Sequence, residues 1–149
     1  MMSIHCKSLE RRYNPKMIPF TREKLKEIEK EAEEKHWSYP YLFNSLKANG
    51  VERYETNVLT HEIKYVSGGT SFVEGPPDGF KPLTASPKFN EEALKSALKR
   101  IQARETNYQQ FLAEIAAAGV AFYRVDMKPR TVTYHGPGKE KLVEPVPQT

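Results

Sequence analysis

Leu46-Lys-Ala-Asn-Gly50-Val-Glu-Arg-Tyr54-Glu-Thr-Asn57 is the stretch that decides the fold, because the chain carries its pattern twice. Sixty-nine residues further on stands Ile115-Ala-Ala-Ala-Gly119-Val-Ala-Phe-Tyr123-Arg-Val-Asp126. Each stretch ends a helical pattern on a glycine, which enters the left-handed conformation past a helix end without a Cβ clash. Each then changes its apolar period from helical to two. Tyr54, Thr56 and Val58 share one strand face, as do Tyr123, Val125 and Met127.

Working outward at the same offset, Phe20 meets Phe89, Leu25 meets Leu94, Tyr39 meets Tyr108, Tyr65 meets Tyr134 and Gly69 meets Gly138. One inserted residue then aligns Val73-Glu74 with Val143-Glu144. The punctuation repeats as well. Thr21 and Asn90 are N-caps for a first helix, and Ser38 and Asn107 for a second, since their side-chain oxygens accept free first-turn amides. Leu25, Ile28 and Ala32 recur at helical spacing, as do Ala93, Leu94, Ala97, Leu98 and Ile101. Tyr39, Leu42, Phe43 and Leu46 form the stripe of the second helix; Tyr108, Phe111, Leu112 and Ile115 form its counterpart. The Lys and Glu residues on the rest of the first helix, with Glu31 and Lys35 at i, i+4, read as a solvated face. Ile63 and Tyr65 answer Val132 and Tyr134 on the next strand. Turns follow at Ser67-Gly68-Gly69 and Gly136-Pro137-Gly138, and third strands begin at Phe72-Val73 and Leu142-Val143.

The chain therefore divides into a basic tail (1–16), a first unit (17–74), a Pro/Gly-rich connector (75–88) and a second unit (89–149). The connector holds four of the eleven prolines. Neither unit alone can bury a sizeable core. The expectation is an α+β fold, an internal pseudo-dimer whose helices cover one face of an antiparallel sheet.

Composition limits the function classes. The 149 residues are 38% hydrophobic and 28% charged, with no run of about 20 apolar residues for a membrane span and no apolar secretory segment at the start. Membrane partners are not expected. Cys6 is the single cysteine, so internal disulfides and multi-cysteine metal sites are excluded, and a cytoplasmic, reducing setting is expected. Residues 1–16 contribute +3 of the net +4, through Lys7, Arg11, Arg12 and Lys16 against Glu10. A fixed basic face on the remainder has no support from net charge.

Leu46 to Tyr54, the later Tyr65 and its glycine turn, and Ala116 to Tyr123 with Tyr134 and Gly138 together resemble the YbcV-like family. These are small bacterial and prophage proteins of unknown function, some labelled phage envelope protein. The resemblance covers roughly residues 18–145 and implies an α+β fold and a bacterial origin. It implies no catalytic residues, and this chain departs from it at the longer basic N-terminus.

Catalytic and cofactor signatures are absent: there is no His-Glu-x-x-His, Cys-x-x-Cys, Gly-x-Ser-x-Gly or Walker loop. Gly136-Pro-Gly-Lys139 follows a strand at a hairpin position and reads as a β-turn. Cys6 reads as a bystander thiol without an orienting base. His36, His61 and His135 share no metal-ligand spacing. His36 beside Trp37 is expected to pack at a helix–helix corner, His61 to lie in a hairpin turn and His135 at a strand end. Tyr54, Tyr65, Tyr123 and Tyr134 share the phase of Val58, Ile63, Val125 and Val132 and read as core.

The opposite strand face carries Arg53, Glu55 and Asn57 in the first unit and Phe122, Arg124 and Asp126 in the second. Across a pseudo-twofold seam these six converge as a candidate ligand site, with Arg53 and Arg124 as anion-binding groups and Glu55 and Asp126 orienting them. The leading expectation is a non-catalytic ligand-binding or interaction module for a small molecule or protein, with no metal or cofactor implied. An enzyme using Glu55, Asp126 and a histidine is the alternative. Nucleic-acid binding through the tail comes third. The sequence also allows a homodimer.

Overall fold

A computed structural model of the protein describes residues 20–148. The expectations for the basic tail, residues 1–16, and for Cys6 lie outside the described residues. Unit one supplies α1 (Arg22–Glu34), α2 (Tyr39–Ala48), β1 (Arg53–Asn57), β2 (Ile63–Ser67) and β3 (Thr70–Glu74). Unit two supplies α3 (Glu91–Gln102), α4 (Tyr108–Ala117), β4 (Phe122–Asp126), β5 (Thr131–His135) and β6 (Lys141–Pro145). The fold is α+β, as the repeated pattern predicts.

The four helices of the described residues start at the expected caps. The side-chain oxygens of Thr21, Ser38, Asn90 and Asn107 accept from the amides of Lys24, Tyr41, Ala93 and Gln110. At α4 the bond is reciprocated: the Asn107 amide donates to Gln110 Oε1 at 2.9 Å, completing a capping box. Past α2 and α4, Gly50 and Gly119 adopt φ of 98° and 93°. Gly119 has a second constraint, since a Cβ there would lie 2.4 Å from the Lys88 carbonyl oxygen.

The six strands form one antiparallel sheet in the order β3-β2-β1-β4-β5-β6, so the two units join edge to edge through β1 and β4. Register repeats with the sequence. Tyr54 faces Tyr65 in unit one, and Tyr123 faces Tyr134 in unit two. At the seam Arg53 faces Asp126 and Asn57 faces Phe122, pairs that exchange under the 69-residue repeat. Only Glu55 and Arg124, themselves equivalent, face each other; the pseudo-twofold axis passes between them.

The core lies between the helices and the face carrying Tyr54, Thr56, Tyr65, Tyr123, Val125, Val132 and Tyr134, all buried. Leu25, Phe43 and Leu46 meet it from unit one, and Leu94, Leu112 and Ile115 from unit two. Tyr39 and Tyr108 depart from the fully apolar stripe expected of them. Both residues remain exposed, at 40% and 41%, while their hydroxyls turn inward to the Tyr54 and Tyr123 hydroxyls at 2.5 and 2.6 Å. Burial pushes all four hydroxyls up in pKa, so they remain protonated and can share these bonds.

The helical pairs are tied together by the hairpin turns. His61 and Arg130, equivalent positions, both take left-handed φ, at 62° and 61°. The His61 ring lies 5.5 Å from Tyr108 of α4. The Arg130 guanidinium sits 4.6 Å over Phe43 of α2 and donates to Asn44 Oδ1 at 2.7 Å. Each unit thus clasps the second helix of the other. His36 corrects an expectation: it is exposed, with φ of 52°, because a left-handed residue is needed to turn the chain out of α1. Trp37 does the packing there, 4.5 Å from Tyr41.

Candidate functional site

Alternation along the strands sends Arg53, Glu55, Asn57, Phe122, Arg124 and Asp126 to the sheet face opposite the helices. Strand pairing extends their central row to Val73-Lys64-Glu55-Arg124-Thr133-Val143. Two features of that face differ in chemistry, and they lie on opposite sides of the pseudo-twofold axis.

On one side is an ion-pair cluster. Arg124 Nε donates to Asp126 at 3.1 Å, and its Nη1 lies 3.8 Å from Glu55. Asp126 holds this arginine through one hydrogen bond, and Glu55 stands at ion-pair distance only. Arg53 faces Asp126 across the seam yet makes no ion pair within 4.0 Å among the described residues.

On the other side is a cleft of about 350 Å³. Three of the six predicted residues line it: Glu55, Asn57 and Phe122. Arg53, Arg124 and Asp126 do not. Asn57 also has a local task, accepting from the Leu59 and Thr60 amides at 2.9 and 3.1 Å to fold the β1–β2 turn. Phe122 is 36% exposed, and its ring is held by a parallel stack on His135, with centroids 4.4 Å apart. Burial is the main cause that lowers the His135 pKa, followed by the Lys141 charge; Glu55 pulls the other way.

Sequence reasoning missed the rest of the lining, which includes Leu59, Glu62, Lys64, Val73 and Ala121. The available signal was strand phase. Lys64 and Val73 alternate to the outer face with Glu55, and an apolar Val73, 43% exposed, is out of place on a merely solvated surface.

One acid stands apart from this face. Glu29 of α1 is half-buried, and burial, then the neighbouring Glu74 carboxylate, pushes it up to about 8, while Lys26 lowers it. Sequence reading left Glu29 on the solvated face of α1; burial first, and contact with the end of β3 second, change its chemistry. It belongs to the helical side of the sheet and does not line the cleft. Among the described residues, no group of three or more His, Cys, Asp or Glu side chains is placed to hold a metal ion, and no helix is long and apolar enough to cross a membrane.

The repeated helix–helix–strand pattern has relatives. Residues 26–144 match the family model described as "Protein of unknown function (DUF1398)". The chain belongs to the DUF1398 family. It is also similar to "Uncharacterized protein Mb2035" of Mycobacterium bovis and "Uncharacterized protein Rv2012" of Mycobacterium tuberculosis, each 33% identical over 101 residues. Those matches cover 66% of this chain and 60% of each relative, so the chain spans less than two thirds of the curated relatives it matches. A bacterial origin agrees with these mycobacterial relatives. The match of this DUF1398 member runs from α1 through β6 and takes in both units.

Proposed function

We propose that this DUF1398 protein is a non-catalytic ligand-binding module, and that its site is the outer-face cleft beside the β1–β4 seam. One observation carries the reading: a cleft of about 350 Å³, within the range of small-molecule sites, presents an exposed, stacked aromatic ring next to charged side chains. On a sheet face that only met water, the parallel stack that holds Phe122 and the exposed Val73, three strands apart along the same cleft, would gain nothing. The enzyme alternative gains nothing comparable. Glu55 and Asp126 are engaged by Arg124, and the carboxyl held near neutrality, Glu29, serves the helical side. A cytoplasmic setting and an origin in a prophage or a bacterial chromosome fit this reading, and the partner is a small molecule rather than a nucleic acid or membrane.

A fragment screen followed by amide chemical shifts of the full chain tests it. The expected result is that ligands move the amides of residues 55–64, 73, 121 and 122, and that Phe122→Ala removes the response while the melting temperature stays within a few degrees. Ligands that instead move amides of the helical layer, or an F122A response equal to wild type, would overturn the assignment.

A further inference from the structure

Granting the reading of the cleft as a ligand site, we infer that it takes a flat aromatic ring, which completes a stack of three with Phe122 and His135. At this end of the sheet one cross-strand row runs Glu62, Asn57, Phe122, His135. The Asn57 amide donates to the Glu62 carbonyl at 2.8 Å, Asn57 faces Phe122, and Phe122 faces His135. The Phe122 and His135 rings lie parallel to within 10°, with centroids 4.4 Å apart. Rings stacked in this way across neighbouring strands stand on edge upon the sheet, with their faces turned along the row. His135 covers one face of Phe122. The other face looks over β1, and there the cleft begins: Phe122, Asn57 and Glu62 line it, and His135 does not.

The next place in the stack is held by the shortest side chain of the row. Asn57 is turned toward its own hairpin, where its Oδ1 accepts from the Leu59 and Thr60 amides at 2.9 and 3.1 Å. It leaves a slot between Phe122 and Glu62, two strand spacings or about 10 Å from backbone to backbone. A ring seated over Asn57 lies one spacing from Phe122, about 4.8 Å, close to the 4.4 Å that Phe122 and His135 already keep. The strands thus set the period of the stack. A saturated ring of the same size also buries apolar area here, but it has no π face and forgoes the added attraction of parallel aromatic rings. Leu59, Val73 and Ala121 supply the remaining apolar lining. Charge plays no part in the assignment. Glu62 and Lys64 both line the cleft, and neither makes an ion pair within 4.0 Å among the described residues, so a polar group of either kind on the ring finds a partner.

Two neutral probes that differ only in the ring test this on the full chain: naphthalenemethanol and its fully hydrogenated counterpart, each titrated while amide shifts are followed. The aromatic probe is expected to bind at least about threefold more tightly, with its ring protons moved upfield by the Phe122 ring current. Phe122→Leu keeps an apolar side chain and removes the ring face. It should bring the aromatic probe down to the affinity of the saturated one and leave the saturated one nearly unchanged, which separates ring recognition from a general loss of the site. If the two probes bind equally to the wild type, or if the preference survives Phe122→Leu, the flat-ring assignment falls and the ligand-site reading stands. If neither probe moves the cleft amides, both fall.

Discussion

The two faces of the sheet descend from the same pair of repeated strands and have fared differently. On the helical face the halves keep their tyrosines and their apolar phase: Tyr54 matches Tyr123, Tyr65 matches Tyr134, and a helix tyrosine bonds a strand tyrosine in each, at 2.5 and 2.6 Å, while Thr56 answers Val125 and Ile63 answers Val132. On the outer face no equivalent pair along β1 and β4 is identical. Arg53 answers Phe122, Glu55 answers Arg124, and Asn57 answers Asp126. Close packing against helices penalises any change of volume or polarity, whereas a face open to water tolerates exchange and so can acquire a different chemistry on each side of the seam. The cleft belongs to one half of the outer face, and the ion-pair cluster marks the other.

That contrast can be broken by experiment. The largest effect is expected from Phe43→Ala, which empties a fully buried site and removes the platform under Arg130. Chemical denaturation should show a loss of about 3–5 kcal/mol. A loss below 1 kcal/mol, the level of a surface change, would dissolve the distinction between the faces. Next come Tyr54→Phe and Tyr123→Phe. Each leaves a helix tyrosine without its partner and should cost about 1–2 kcal/mol, and the two costs should match if the halves are equivalent. Unequal costs would locate asymmetry inside the core.

A pH-dependent effect follows. Glu29 carries its proton more firmly folded than unfolded, since its pKa rises from 4.5 to about 8. The folded state therefore binds more protons across that interval. The stability this confers is fully present below 4.5 and is lost as the pH rises through about 8. Glu29→Gln should flatten this dependence, leaving the variant a few degrees more stable than wild type at alkaline pH and similar to it under acid. Melting curves across the interval check this; parallel curves for the two proteins would refute it. The smallest effect belongs to the outer face. Arg124→Ala removes two part-exposed ion pairs and should cost only about 0.2–1 kcal/mol.

The features legible in the sequence were those with local causes. Caps at Thr21, Ser38, Asn90 and Asn107, helix ends at Gly50 and Gly119, and the phase of the tyrosines each depend on a few neighbouring residues, and the structure has them all. The pairing of β1 with β4 was legible too, because the repeat implied a twofold relation between them, but the six seam residues divide between the ion-pair cluster and the cleft. Lateral contact was not. Which β2 and β3 side chains stand beside Glu55 depends on two hairpin registers, so Lys64, Glu62 and Val73 went unassigned. Glu29 was concealed for the same reason: its helix looks solvated by periodicity, and burial in the packed fold, with the approach of Glu74 from β3 second, changes its chemistry. His36 was misplaced because adjacency to a tryptophan says nothing about a left-handed turn.

The pair on the pseudo-twofold axis has a consequence for how the two halves recognise each other. A strand crossing its own copy at a dyad must set the axial residue against itself, so an assembly of two identical first units would place glutamate against glutamate, and two second units arginine against arginine. Glu55 opposite Arg124 is a complementarity that only non-identical halves can possess. The seam therefore carries a built-in preference for the mixed pairing: each half is matched to a partner of the other type and mismatched to itself, which disfavours any assembly that joins two first units or two second units.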